Sequence, residues 1–203
     1  MKQIALTFDD GPSNVTEEIL DILKNKEVKA SFFLIGDNIT PKHKDIIKRE
    51  VEEGHEIANH SLTHQDMTKL SEKEIKEEIS KTTSLIEEYA GVTPHFFRPP
   101  YISVNQTMHD AIDLPFICGI GCLDWEPLHT ASQRVEDVLR DAKDGNIVLL
   151  HDLESNYNTV KALPEIIDGL RAFDYEFLRI SDLFKLNKVN PKVKGKIWSN
   201  IYL

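Results

Sequence analysis

The sequence predicts an α/β fold in which parallel strands are joined by outer helices. Short apolar runs alternate with segments of helical period along nearly all 203 residues, the pattern of strands linked by crossover helices. The run at 146–150 is apolar after its first residue, as in a strand buried on both faces. The third observation is where the polar chemistry falls: Asp9-Asp10, residues 60–64, Arg98, Asp124 and His151 each stand where a predicted strand ends. In a parallel barrel the carboxyl ends of the strands converge on one face.

The first strand ends in Leu6-Thr7-Phe8-Asp9-Asp10-Gly11-Pro12, where an apolar run stops at two carboxylates and a Gly-Pro turn. On a strand the two carboxylates point to opposite sides and can take different jobs, one holding a cation and the other facing a substrate. Residues 16–24 carry Ile19, Leu20, Ile22 and Leu23 at helical spacing, and 30–35 reads as a buried strand. A helix is expected over 41–53, with Pro41 suited to its first position and Gly54 to the residue past its end. Residues 56–59 form a short strand leading into His60.

The clearest helix spans 72–90. Ser71 and Glu74 make a capping box, Ile75, Ile79, Thr82, Ile86 and Tyr89 a core stripe, and Gly91 a stop, while mixed Lys and Glu leave the other face to solvent. Strands at 95–97 and 114–120 lead to Arg98 and Asp124. A helix over 132–143 stops near Gly145, and strand 146–150 delivers His151-Asp152. Helix 160–172 turns Ala162, Leu163, Ile166, Ile167 and Leu170 inward, strand 175–178 follows, and Ser181 caps a short helix to 186. The tail 187–203 has no period and is expected to lie across the domain.

The length suits one well-buried core, so a single domain over 1–203 is expected. A hydrophobic fraction of 40% and a charged fraction of 29% are ordinary for a soluble globular protein. A net charge of -10 argues against a nucleic-acid partner, since phosphate binding needs clustered Lys and Arg. No apolar run is long enough to span or insert in a bilayer, and no signal-like segment precedes the first strand. A secreted protein that had lost its leader would read the same way. Cys118 and Cys122 give no disulfide framework and read as small buried side chains.

His60-Ser61-Leu62-Thr63-His64 sets two imidazoles four residues apart, the spacing that puts both on one face of a helical turn and within reach of one metal. With one carboxylate they make a three-ligand site with open positions, as hydrolytic zinc enzymes need. Nitrogen and oxygen ligands suit zinc, cobalt, nickel or manganese, and the same set also serves iron oxygenases. A carbohydrate-binding module that has lost its activity is a third reading.

At these residues the chain resembles the polysaccharide deacetylases, the NodB-homology family also called carbohydrate esterase family 4. Thr7-Phe8-Asp9-Asp10-Gly11-Pro12 matches that family's first motif and His60-Ser61-Leu62-Thr63-His64 its second. Arg98-Pro99-Pro100-Tyr101 matches the third, Asp124-Trp125 the core of the fourth and Leu149-Leu150-His151 the fifth. The resemblance implies a distorted (β/α) barrel and a metal-dependent hydrolase that removes acetyl groups from carbohydrate. Its substrate would be an acetylated polysaccharide or oligosaccharide, first an N-acetylglucosamine polymer of the chitin or peptidoglycan type, with O-acetylated xylan as the alternative.

The resemblance further implies Asp9 as catalytic base, Asp10, His60 and His64 as ligands of one divalent metal, zinc or cobalt first, and Arg98 as the residue that orients Asp9. It implies His151 as the acid, Asp124 as its partner, the Tyr101 backbone N–H as oxyanion donor, and Trp125 and Leu149 as walls of the acetyl slot. A monomer is expected, secreted or at the cell surface if a leader was removed. Two positions depart from the motifs: Ile102 stands where glycine is usual, and Gly121 where an acid often precedes Asp124. The short path from Arg98 to Asp124 and the tail ending Ile197-Trp198-Ser199-Asn200-Ile201-Tyr202-Leu203 look like those of acetylxylan esterases. His43, His55, His95, His109 and His129 read as structural or exposed, and Asp152 as a turn residue or a support for His151.

Overall fold

Strand β1 (Lys2–Gly11) runs through the middle of the computed structural model, which describes residues 1–203. Residues 4–8 are buried without interruption, because β1 has partners on both edges and cover on both faces. Helix α1 (Thr16–Asn25) returns the chain to β2 (Ser31–Leu34). A 3-10 turn at Pro41–His43 and α2 (Lys44–Glu52) lead to β3 (Glu56–Asn59). Helices α3 (Glu72–Ala90) and α4 (Gln106–Ala111) precede two short strands, β4 (Phe116–Ile117) and β5 (Ile120–Gly121). Then come α5 (Ala131–Asp141), β6 (Asn146–His151), α6 (Tyr157–Ala172), β7 (Tyr175–Phe177), α7 (Ile180–Leu186) and β8 (Ile197–Trp198).

All strand pairings are parallel. The main sheet has the order β3-β2-β1-β6-β5 with β7 beside the start of β1, and β4 pairs with β8. Single bridges from Asn59 to Phe97 and from Phe97 to Phe116 join β3 to β4, and one from Asn146 to Asn200 brings the tail back to β6. The result is the expected barrel, distorted by short and interrupted staves.

Strand periodicity decides what faces the interior. Ile4, Leu6, Phe8, Val148 and Leu150 pack outward into the main apolar cluster with α1 and α6. Ala5, Phe33, Ala58, Ile117 and Ile147 pack inward with α7 and Trp198. Carried two residues at a time toward the strand ends, the inward rows reach Thr7 and Asp9 on β1 and Leu149 and His151 on β6. The candidate chemistry therefore sits where the inner core runs out.

Several elements differ from the sequence expectation. Residues 95–97 make bridges rather than a strand. The run 114–120 splits into β4 and β5, because the chain at Gly119 presses on β6 so closely that a Cβ there would lie 2.8 Å from Leu149 Cβ. Ser181 lies inside α7, whose N-cap is Arg179, and its hydroxyl bonds Glu56 instead. The tail contributes β8. No helix is long and apolar enough to cross a membrane.

Candidate active site

At the end of β1 the register slips between Asp9 and Gly11, and Asp10 takes a left-handed φ of 72°. This bulge overrides strand alternation, so Asp9 and Asp10 line the same cavity. Gly11 is required behind them, since a Cβ there would lie 2.2 Å from Asp152 Oδ2.

Asp10, His60 and His64 each bring one ligand atom within 4.8 Å of the others. Both His60 Nε2 and His64 Nε2 lie 3.3 Å from Asp10 Oδ1. His60 Nδ1–H donates to the Arg98 carbonyl at 2.7 Å, which turns Nε2 toward the Asp10 oxygen. Asp10 Oδ1 is buried and has no hydrogen-bond partner in the protein. Ligand atoms converging on a buried carboxylate oxygen that nothing in the protein satisfies fit a cation. Burial and the neighbouring His60 lower the pKa of His64, which favours the neutral form a ligand needs.

The two histidines do not share a helical turn, contrary to the spacing argument. Residues 60–64 form a loop in which Ser61 and His64 have φ of 67° and 56°. The loop is shaped from outside by Glu78 of α3, whose carboxylate accepts from Leu62 N, Thr63 N, Thr63 Oγ1 and Gln65 Nε2 at 2.8, 2.9, 3.0 and 3.1 Å. Glu78 is buried, so the charged face of this helix is not wholly solvated. Its signal was present in the sequence: 75, 78, 82 and 86 follow helical spacing, and Glu78 lies on the core stripe.

Asp9 is buried and paired with the fully buried Arg98, whose Nη1 donates to Asp9 Oδ1 at 2.5 Å and to Thr7 Oγ1 at 2.8 Å. Arg98 Nη2 donates to the Cys118 carbonyl, and the guanidinium lies 4.1 Å over the Phe33 ring. The chain thus holds this arginine on several sides, with its charge committed to Asp9.

On the opposite wall, His151 Nδ1–H donates to Asp124 Oδ1 at 2.7 Å, while Asp124 Oδ2 accepts from His151 N and Thr159 Oγ1. Burial pushes His151 down, but the Asp124 charge and hydrogen bond raise it to about 9. Asn156 and the buried Arg134 extend this network, Arg134 donating to Asn156 Oδ1 and Thr159 Oγ1 at 2.6 and 2.7 Å. Sequence reading passed over Arg134, Asn156 and Thr159, which lie on or beside helices and carry no motif.

Asp9, Asp10, His60, His64 and His151 share a cavity of about 400 Å³ walled by Pro99, Tyr101, Ile102, Trp125 and Leu149. Trp125 meets the His151 ring edge-on at 5.5 Å, and Leu149 is buried below it. Tyr101 and Ile102 both have left-handed φ, 57° and 54°. Five of the ten non-glycine residues with positive φ, Asp10, Ser61, His64, Tyr101 and Ile102, are on these loops, so backbone strain is concentrated around the cavity. Of the ten residues singled out from sequence, eight line this cavity, and the other two, Arg98 and Asp124, lie buried against Asp9 and His151.

Residues 1–114 match the family model described as polysaccharide deacetylase. Over 200 residues the chain is 54% identical to a bifunctional xylanase/deacetylase of Pseudobutyrivibrio xylanivorans, covering 98% of this chain and 33% of that protein. It is 40% identical over 185 residues to the peptidoglycan-N-acetylglucosamine deacetylase PgdA of Listeria monocytogenes, covering 90% of this chain and 39% of that one. Among solved structures, a family 4 acetyl xylan esterase from Clostridium thermocellum, in complex with a cobalt ion, superposes with a TM-score of 0.96 at 40% identity, covering all of both chains. The chain spans a third to two-fifths of the length of these two curated relatives.

Proposed function

The chain belongs to the polysaccharide deacetylase family, and from that premise we propose that it is a metal-dependent hydrolase removing acetyl groups from a carbohydrate polymer. The observation that carries this is the convergence of one ligand atom each from Asp10, His60 and His64 between two buried pairs, Asp9–Arg98 and Asp124–His151. An oxygenase requires neither flanking pair, and an inactive binding module has no need of the full set.

Asp10, His60 and His64 would hold a divalent ion, zinc or cobalt, which would supply a Lewis acid for the acyl carbonyl and lower the pKa of water to about 7. Asp9 takes the proton of the attacking water, and Arg98 keeps that carboxylate fixed toward the cavity. The Tyr101 N–H donates to the oxyanion as it develops. His151, held protonated by Asp124, gives its proton to the departing sugar oxygen or nitrogen. Leu149 and Trp125 wall the space for the acetyl methyl.

Two substrate classes use these residues. O-acetylated xylan is supported by the identity to the xylanase/deacetylase and the likeness to the acetyl xylan esterase. N-acetylglucosamine polymers are supported by the lower identity to PgdA. Acetate release from acetylated xylan and from chito-oligosaccharides, using chelated protein with and without restored zinc or cobalt, tests both. Metal-dependent release from either substrate is expected. Release from neither with any metal would overturn the hydrolase reading.

A further inference from the structure

His60 and His64 are held in unlike ways. His60 is anchored on both sides: its backbone N–H donates to the Leu34 carbonyl at 3.0 Å and its ring to the Arg98 carbonyl at 2.7 Å. The His64 ring has no hydrogen bond to the protein. It rests edge-on against the rings of His60 and Tyr101, both at 4.9 Å, and its side chain is 23% exposed. Its position therefore depends on the loop that carries it.

That loop is fixed from two sides. Its carbonyl groups at Ser61 and Leu62 accept from Gly36 N and Asp37 N at 2.9 Å each. Its N–H groups at Leu62 and Thr63 converge on one oxygen of Glu78, a two-donor nest around a carboxylate. The other Glu78 oxygen accepts from Thr63 Oγ1 and Gln65 Nε2, residues on either side of His64. Glu78 is 6% exposed and stands on α3, a 19-residue helix with a full capping box, so the anchor itself is rigid. The His64 N–H then closes the turn on Ser61 Oγ at 3.1 Å.

We propose that Glu78 is a positioning residue for metal binding: from a neighbouring helix, its carboxylate holds the 62–65 loop in the left-handed turn that keeps His64 within reach of the ion shared with Asp10 and His60. The inference rests on the metal reading of the site and adds a residue fourteen positions away in the chain. Glu78 does not touch the ion or the substrate. Its removal frees the two backbone N–H groups and Thr63 together, and the loop keeps its contacts to residues 36–37 and to Asn59 and its internal bond from His64 N–H to Ser61 Oγ.

The test compares wild type, Glu78→Gln and Glu78→Ala, each stripped with a chelator and titrated with cobalt(II). Affinity is read by chelator competition and coordination by the visible d–d spectrum. Glu78→Ala is expected to weaken cobalt binding by about 10–100-fold, the usual cost of losing an outer partner of a ligand, and to change the spectrum as His64 moves away. Glu78→Gln keeps one oxygen for the Leu62 and Thr63 N–H groups and should lose less than about tenfold. It also carries the test if the alanine variant does not fold. Thr82→Ala, one turn along the same helix face and packed near Gly36, serves as the structural control: lower melting temperature, unchanged cobalt spectrum.

Wild-type affinity and spectrum in both Glu78 variants would overturn the proposal and leave the metal site standing, whatever their melting temperatures. Failure of the wild type to bind cobalt or zinc would overturn the metal reading and this proposal together.

Discussion

Asp124 and Glu50 are equally buried carboxyl groups in very different surroundings. Both are 0% exposed. Asp124 accepts from His151 Nδ1, His151 N, Thr159 Oγ1 and, at 3.4 Å, Asn156 Nδ2. Neither oxygen of Glu50 has a partner, and burial beside Asp152 raises its pKa well above the usual range. Depth is the same, so the donors decide which carboxyl keeps its charge. At Asp124 burial is matched by partners and becomes an instrument for tuning His151, whereas at Glu50 it is a cost.

Removing the charge of Asp124 should have the largest effect. With the Asp124 charge gone, burial acts on His151 against only the weaker pull of Asp9 and Asp10, and its pKa falls from about 9. An acid must hold its proton, so Asp124→Asn should lose activity at pH 7, by about 10²–10⁴-fold, the usual worth of a general acid. The alkaline limb of kcat/KM against pH should move to lower pH. A cation at Asp10 offsets part of the carboxylate field on His151, so the wild-type limb lies at or below about 9. An unmoved limb in Asp124→Asn would break the link between donors and acid.

Arg98→Met should turn Asp9 into a second Glu50. Methionine is similar in length but leaves the 2.5 Å pair broken and the Asp9 charge buried. Breaking such a pair costs about 3–5 kcal/mol, which urea melts of the chelated protein would measure. A loss below about 1 kcal/mol would mean that water reaches Asp9 and replaces the guanidinium.

The site's main features were legible because each depends on a few neighbouring residues. A carboxylate pair before Gly-Pro, or a histidine after an apolar run, marks a strand end wherever the strand goes, and parallel topology brings the ends together. What sequence did not reveal was set by distant partners. The loop 60–64 was read as a helical turn because four-residue spacing suits one, yet its shape comes from Glu78 on α3. Glu78 itself was hidden by assigning the stripe to Ile79, which is only partly buried. Strand β8 has two residues, too few to carry a period. Gly119 ends β4 through contact with Leu149, thirty positions later. The capping box of α5, Thr130 with Gln133, was by contrast readable locally and fixes the helix start at Ala131, one residue before the expected one.

Glu50→Met should move the protein the other way. The folded-state pKa of Glu50 is raised above its unfolded value near 4.5, so the wild type bears no ionisation penalty below that pH and an increasing one above it. Replacing the carboxyl with a thioether of similar length should stabilise the fold by about 1–3 kcal/mol at pH 7. The gain should be smallest near pH 4, so urea melts at both pH values give the sign. Equal gains at both would assign the effect to packing rather than to charge.

The mildest change dilutes the partners of Asp124 without removing its charge. Thr159→Val is nearly isosteric and deletes the donor at 2.9 Å from Asp124 Oδ2. Arg134 loses one acceptor and keeps Asn156 Oδ1, so the network remains connected. Three buried hydrogen bonds go with the hydroxyl, the one to Asp124 and those from Arg134 and Asn156. Each is worth about 1 kcal/mol, and because Arg134 and Asn156 keep other partners stability should fall by about 1–3 kcal/mol. A carboxylate with one fewer donor is a better acceptor for the His151 proton, so the His151 Nδ1–H bond tightens. The alkaline limb should stay within a few tenths of a pH unit of wild type, about 0.4 kcal/mol. A fall in the limb as large as that in Asp124→Asn would mean that Thr159 sets the position of Asp124, and that geometry, more than donor number, separates it from Glu50.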